Sequence, residues 1–567
     1  MNTTNNNNIK RVAFFLLLIL TVVWFFPFMV RGIDTTDMAY YLIKYKYFFS
    51  SDVDLRSVGT IFTDLLGAGI YHLRDSGQAV LLAVCHWALY MGSGLIVYRC
   101  LREHIQKHLL LLGILGGSLF SLTGIHIMNY NATSMFFQTL AICVLIRGIE
   151  KEQTRYIVIS GIIFGLNTFF RLPNILQISV GIGILWYYVF GKGEVKTGII
   201  KCLQFAGGVF GGWAVGGTAV LLIVGKEKVL SYLFRTSNML GSSENSHGLV
   251  NILTKLYVGA KEGIKNWIIF GSVLLIILII WNLLVNRAKF CAVKEKKVYV
   301  CFGILTIFYG IYVGQQLEYL QFYQMIGLCI LVVMAAGAFY YRKKNLLVSS
   351  VCVMTFCAEA VLSIGTDNGW NYQVVFLIFP ICACLFAISS CRHESVRKNI
   401  MLCMLFTAAM LFAVGIRYAT QYVYRDAPNN QLKYTVNAKE YSGFLTSKER
   451  AEYIDDLEVA LKPLKNEYLL SYGDFNIGYV ITDMKPIPNR VWIDLQSYPS
   501  EQFEKDVYDG VKEKGYPVII LADLDQDGVY RSEEKLEIIE TVMKEGHYQE
   551  YYVNDYYKIF TPEGMRD

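Results

Sequence analysis

Charge is scarce in this chain. Asp, Glu, Lys and Arg make up 17% of its 567 residues, against 54% hydrophobic residues, where soluble domains carry about a quarter charged. That excludes a water-solvated globule over most of the length. No long basic run occurs and the net charge is only +6, which excludes a nucleic-acid surface and fits basic loops beside a membrane. Cysteine is missing where a disulfide framework would need it. All 13 cysteines lie between Cys85 and Cys403, and the remaining chain after Cys403 has none, so no disulfide framework is available outside the cell and nothing points to redox chemistry or a thiolate metal site. There is no internal repeat, and no low-complexity segment beyond the Asn-rich start. No small-residue cleavage site follows the first apolar run, so it reads as a retained helix rather than a signal peptide.

What is present is a series of apolar stretches with short polar gaps. Spans are expected near Val12–Val30, Gln78–Tyr98, Leu109–Ile127, Asn131–Ile146, Tyr156–Phe170, Ile175–Phe190 and Leu203–Val224. Six more are expected near Trp267–Val285, Val298–Val313, Phe322–Tyr340, Leu346–Ile364, Tyr372–Ile388 and Ile400–Val414. Lys and Arg fall on alternate turns, such as Arg99/Arg102/Lys107 and Arg342/Lys343/Lys344, while turns such as His126–Tyr130 have none. The positive-inside rule then puts the N-terminus in the cytoplasm, and an odd number of spans puts the C-terminus outside. The fold class expected is a polytopic α-helical membrane protein of about thirteen helices with a C-terminal extracytoplasmic α/β domain. Its parts are a cytoplasmic tail (1–11), a transmembrane body (12–417) with outer loops at 31–77 and 225–266, and the outer domain (418–567).

In that last part, helix is expected over Ala438–Leu464, Glu501–Lys514 and Ser532–Glu545. Strand is expected over Glu467–Tyr472, Val491–Leu495 and Tyr516–Ala522, with a closing hairpin at Tyr551–Phe560. Asp523-Leu-Asp-Gln-Asp-Gly528 with Glu534 fits the calcium-loop spacing, with Asp523, Asp525, Asp527 and Glu534 as oxygen ligands. A strand precedes this stretch where an EF-hand has a helix, and Arg531 adds positive charge. A plain acidic strand-to-helix turn is the simpler account of it, and a divalent cation stays open as the one cofactor.

The chemistry-bearing stretch follows the first span: Gly32-Ile-Asp-Thr-Thr-Asp-Met-Ala-Tyr-Tyr41. Asp34 and Asp37 are carboxylates beside hydrocarbon, where solvation is poor. Asp37 to Phe49 reads as an aromatic helix lying in the headgroup plane, with Lys44 and Lys46 reaching anionic headgroups. A lipid-linked phosphate would meet cations there, and a carboxylate could serve as general base on an acceptor hydroxyl. The same acids, with Thr36, suit a helix N-cap. Both readings stand on the residues alone.

The long first outer loop with an early acid, the dozen or so spans and the outward C-terminal domain resemble the C-type glycosyltransferase superfamily. The nearest branch is that of protein O-mannosyltransferases and lipid A aminoarabinose transferases. That family carries Asp-Glu-x-Tyr-Tyr-like sequence after its first span. Asp37 and Tyr40-Tyr41 match, Met38 replaces the Glu, and Gly59-Thr-Ile-Phe-Thr-Asp64 stands about where the family has a Lys-Pro-Pro-like element. The resemblance implies an inverting transfer from a polyprenyl-phosphate sugar to an extracytoplasmic glycan, lipid or protein acceptor. Asp37, with Asp34, would be catalytic, and Tyr40, Tyr41 and Lys44 would bind substrate.

Further candidates lie at other outer turns. Asn129 and Asn131 stand where the family often has an acid; they could hydrogen-bond a sugar or cap a tight turn. Arg171, in Arg171-Leu-Pro-Asn174, breaks the positive-inside pattern and suits a carrier phosphate through paired donors, or an interface anchor. Glu359 lies within a span, where a carboxylate pairs, as with Arg171, or stays protonated. Arg235 and His247 flank a polar loop. Two other function classes fit the topology. A flippase or transporter of lipid-linked glycans would place polar groups at midplane on repeats, and an O-antigen-type polymerase or ligase would rely on Arg235.

Overall fold

The computed structural model describes residues 2–241, 249–287, 292–364, 376–465, 467–495, 498–524 and 531–565. Among them, eight helices are long and apolar enough to cross a membrane: Gln78–Leu101, Tyr130–Glu150, Leu172–Lys192, Val195–Val224, Val250–Val285, Glu295–Gln316, Tyr319–Tyr341 and Arg397–Gln421. The other five expected spans coincide with shorter apolar helices, Arg11–Val23, Lys107–Ser121, Thr154–Asn167, Leu346–Leu362 and Ile378–Ser389. Lipid-length apolar runs explain the eight, because only a helix satisfies its backbone internally in hydrocarbon. Where small residues allow it, the helices come into backbone contact. A Cβ at Gly208 would lie 2.3 Å from the Val158 carbonyl oxygen, so Val195–Val224 packs directly on Thr154–Asn167.

The first helix, α1 (Asn2–Val23), leads into a loop carrying two short helices, α2 (Asp37–Lys46) and α3 (Ile61–Tyr71). The expectation that α2 lies among headgroups is corrected here. Seven of its ten residues are buried, and its lysines face protein. Lys44 forms an ion pair with Asp64 of α3 at 2.6 Å, both side chains 4% exposed or less. Lys46 donates to the carbonyls of Tyr479, Val480 and Thr482.

The C-terminal region holds a five-stranded sheet of order β2-β1-β3-β5-β4, built from β1 (Tyr468–Tyr472), β2 (Lys485–Pro486), β3 (Val518–Ala522), β4 (Gln549–Val553) and β5 (Tyr557–Thr561). The first three strands are parallel and β5 runs antiparallel to β3 and β4. Side chains alternate across the pleat. Leu469 and Ile520 face one core, and Leu470 and Ile519 face another under Phe503 and Val542. The first of these cores is continuous with the loop, taking in Ile33 and Tyr45 beside Ile454 and Leu469. The region therefore shares its core with the loop after α1 and does not close on itself.

Two expected elements differ. Ala438–Leu464 divides into a 3-10 turn at Lys439–Tyr441 and a helix at Lys448–Leu461. Val491–Leu495 is not a strand, because the Ile493 and Leu495 carbonyls accept from the buried Lys535 ammonium at 2.7 and 2.8 Å and are not spent on a ladder.

Candidate active site

The loop after α1 is tied to the C-terminal region by its backbone. Gly32 N donates to the Leu445 carbonyl and Leu445 N to that of Val30, each at 2.8 Å. Gly32 has φ +90, and a Cβ there would lie 2.2 Å from Val423 Cγ1, so this crossing requires glycine. Asp426 reinforces it, accepting from Ile33 N at 2.8 Å and from Thr446 Oγ1 at 2.6 Å.

Asp34 and Asp37 then separate in role. Asp34 is 3% exposed and accepts from Thr36 N and Met38 N, both at 2.9 Å. It therefore seals the N-terminal end of α2, as a capping carboxylate does. Burial holds its pKa above the ordinary carboxylate value. Asp37 begins the helix with a side chain 16% exposed. Its Oδ2 accepts from Tyr424 Oη at 2.9 Å and lies 3.4 Å from Arg425 Nη1. Burial, then the charge of Asp34, push its pKa up to about 7, against the pull of Arg425 and Tyr424. A carboxylate poised there suits general-base work near neutral pH.

Arg425 also faces a further acid, with Nη2 3.9 Å from Asp474 Oδ2. Asp474 accepts from Trp492 Nε1 at 2.6 Å, and its backbone N donates to Asp494 at 3.2 Å. Arg425 and Asp474 both have positive φ, 51° and 55°, a conformation that costs non-glycine residues energy and clusters at functional sites. Arg450 secures Arg425 from behind, donating to its carbonyl and to that of Ile33 at 2.6 Å for the latter. None of Tyr424, Arg425, Asp474 or Trp492 was singled out in the sequence. They lie hundreds of residues from Asp37; the usable signal was Tyr424-Arg425-Asp426, a charged run just after the last span.

The other candidates fall as follows. Tyr40 packs on Trp492 with ring centroids 5.5 Å apart, and Tyr41 packs on Tyr130 at 5.7 Å. Arg171, 6% exposed, lies over the Tyr130 ring at 5.8 Å, one ring beyond Tyr41. Asn129 takes the capping role, its Oδ1 accepting from Asn131 N and Ala132 N at the start of Tyr130–Glu150. Glu359 is buried within Leu346–Leu362, away from α2 in sequence and on a membrane-type helix. The side chain of Arg235 and all of His247 lie outside the described residues, as do Asp525 and Asp527. Asp523 is paired with Arg531 at 2.7 Å, and Glu534 accepts from Ser500 Oγ at 2.7 Å. Among the described residues no group of three or more metal-type ligands occurs.

Beside Tyr40 and Trp492 opens a cavity of about 280 Å³, walled also by Lys44, Arg56, Lys228 and Arg490. It lies one helical turn along α2 from Asp37.

Residues 60–210 match the family model described as dolichyl-phosphate-mannose-protein mannosyltransferase. That stretch of the chain is thus similar to these membrane mannosyltransferases. The matched stretch holds Asp64, Asn129 and Arg171 and begins after Asp37. Among solved structures, the Archaeoglobus fulgidus oligosaccharyltransferase complexed with Zn and sulfate aligns at TM-score 0.47 and 12% identity, covering 90% of this chain and 67% of that one. ArnT from Cupriavidus metallidurans bound to undecaprenyl phosphate aligns at TM-score 0.40 and 12% identity, covering all of both chains. No curated protein matches the chain.

Proposed function

We propose that this protein is an integral-membrane glycosyltransferase that moves a sugar from a polyprenyl-phosphate carrier to an extracytoplasmic acceptor, with Asp37 as general base. The observation that carries this reading is Asp37 itself, a partly exposed carboxylate with its pKa at about 7, fixed by Tyr424 and Arg425 where two parts of the chain meet. The family match over residues 60–210, whose description names a polyprenyl-type sugar phosphate as donor, supports the donor class.

In the proposed step Asp37 takes the proton of an acceptor hydroxyl as its oxygen attacks the anomeric carbon. The bond from that carbon to the carrier phosphate breaks, the phosphate leaves with the electron pair, and attack opposite it inverts the anomeric centre. Arg171 is the cation proposed for the leaving phosphate, through paired guanidinium donors. The extracytoplasmic placement rests on the alternation of basic loops, since nucleotide-sugar donors belong to the cytoplasm and lipid-linked ones serve the far side.

The test is transfer by purified protein in lipid nanodiscs, supplied with polyprenyl-phosphate sugars and an envelope-glycan acceptor mixture. Asp37→Asn should bind the donor and lose about 100- to 10,000-fold in rate, the usual worth of a positioned base. Unchanged transfer by a folded Asp37→Asn protein would overturn the assignment.

A further inference from the structure

The cavity beside Tyr40 holds more positive charge than its own acids neutralise. Lys228 and Arg56 share a single carboxylate, Asp54, at 2.7 and 2.8 Å. Lys44 is taken by Asp64. Arg490 has no carboxylate partner among the described residues, and its guanidinium lies over the Tyr498 ring at 4.3 Å. Four cations thus face two acids, an excess of two positive charges around one small space. Burial holds the Lys228 ammonium below the ordinary lysine value even with Asp54 beside it.

The walls also carry aromatic surface, with Tyr40 and Trp492 side by side. Aromatic faces with a few convergent polar groups are the usual lining of a small-molecule site. At about 280 Å³, just below the span of roughly 300–1,000 Å³ common for such sites, the space suits one sugar unit rather than a prenyl chain.

Position relates this cavity to Asp37. Tyr40 is three residues from Asp37 on α2, so both lie on one face about 4.5 Å apart along the axis. Arg171 reaches Asp37's helix from another side, through Tyr130 and Tyr41.

We infer that this cavity is an acceptor subsite that holds an anionic group, a phosphate monoester or paired carboxylates, borne by the sugar whose hydroxyl faces Asp37. The inference rests on the transferase reading above and names the chemical class of its acceptor. Charge count favours the acceptor over the carrier as the anion's source. A phosphate monoester brings close to two negative charges at neutral pH, matching the excess, whereas a carrier phosphate esterified at both ends brings one.

The experiment titrates full-length protein in nanodiscs with glucose 6-phosphate, glucose and a polyprenyl-phosphate glucose, whose phosphate is a diester, following tryptophan fluorescence. Glucose 6-phosphate should bind about tenfold or more tightly than glucose, as one charge-assisted hydrogen-bonded contact supplies. Arg490→Gln should abolish that preference, Arg490→Lys should keep part of it, and neither should weaken polyprenyl-phosphate glucose binding. Should Arg490→Gln fail to fold, Lys228→Gln carries the same expectation. Equal binding of the two sugars by wild type, or an unchanged preference in the folded Gln variant, overturns the inference. Parallel loss of polyprenyl-phosphate glucose binding overturns it too, assigning the cavity to the carrier. Because these are binding measurements, they stand whether or not Asp37→Asn abolishes transfer, and a failure of the general-base reading is seen separately.

Discussion

A carboxylate with its pKa at about 7 is a sensitive report on what surrounds it. For Asp37 the upward push comes first from burial and then from Asp34, and the downward pull from Arg425 and Tyr424. As the proposed base, Asp37 must be ionised, so transfer should rise with pH and reach half its plateau near 7. Removing the guanidinium takes away a stabiliser of the ionised form. Arg425→Gln should therefore move the rising limb about one pH unit upward, with the plateau lowered less than the rate at pH 7. A pH–rate profile of both proteins checks this. An unmoved limb would mean that Arg425 only packs. Sequence reading reached Asp37 because an acid directly after a span stands out against hydrocarbon. It could not divide the work between Asp34 and Asp37, since both are good cap residues. The two backbone donors at 2.9 Å on Asp34 place it at the cap of α2.

At the scale of elements, apolar length was a dependable guide. Gln78–Tyr98 was expected and Gln78–Leu101 is found; Phe322–Tyr340 was expected and Tyr319–Tyr341 is found. The reading of α2 as a headgroup helix went wrong because aromatic and lysine-rich composition looks alike at a membrane surface and inside a protein joint. The distinguishing group is Asp64, a loop acid that receives the Lys44 ammonium at 2.6 Å, with Thr60 Oγ1 bonding both. A buried pair is costly to break from one side, about 3–5 kcal/mol, while replacing both members by apolar groups of similar volume is often nearly neutral. Lys44→Met should thus destabilise the protein by about that amount, and Lys44→Met with Asp64→Leu should recover most of it. Thermal unfolding in nanodiscs of the two variants gives the comparison. A double variant as unstable as the single would show that α2 and α3 need the charges themselves.

Over the whole molecule, the C-terminal region was read as a separate domain from its change of composition, with its strands and helices largely placed. What composition could not show is that it completes a core begun in the loop after α1, with Ile33, Tyr45, Ile454 and Leu469 in one cluster. Pairings between residues hundreds of positions apart leave no local periodicity to read. Arg450 is the side chain on which that joint converges. It donates to the carbonyls of Ile33 and Arg425, and its Nε lies 3.6 Å from Asp426 Oδ1, a carboxylate that itself holds Ile33 N and Thr446. Arg450→Met fills similar space while leaving two buried carbonyls without their donor and Asp426 without its cation. The expected cost is about 3–5 kcal/mol, as for a buried charge left without its partner. Because Arg425 keeps its left-handed backbone through the same contacts, transfer should fall further than the folded fraction does, and Arg450→Lys should restore charge and part of the stability but not the two-carbonyl geometry. Transfer rates measured per folded molecule separate the two effects. A variant whose activity simply follows its folded fraction would show that the joint carries stability alone, with no bearing on how Asp37 is held.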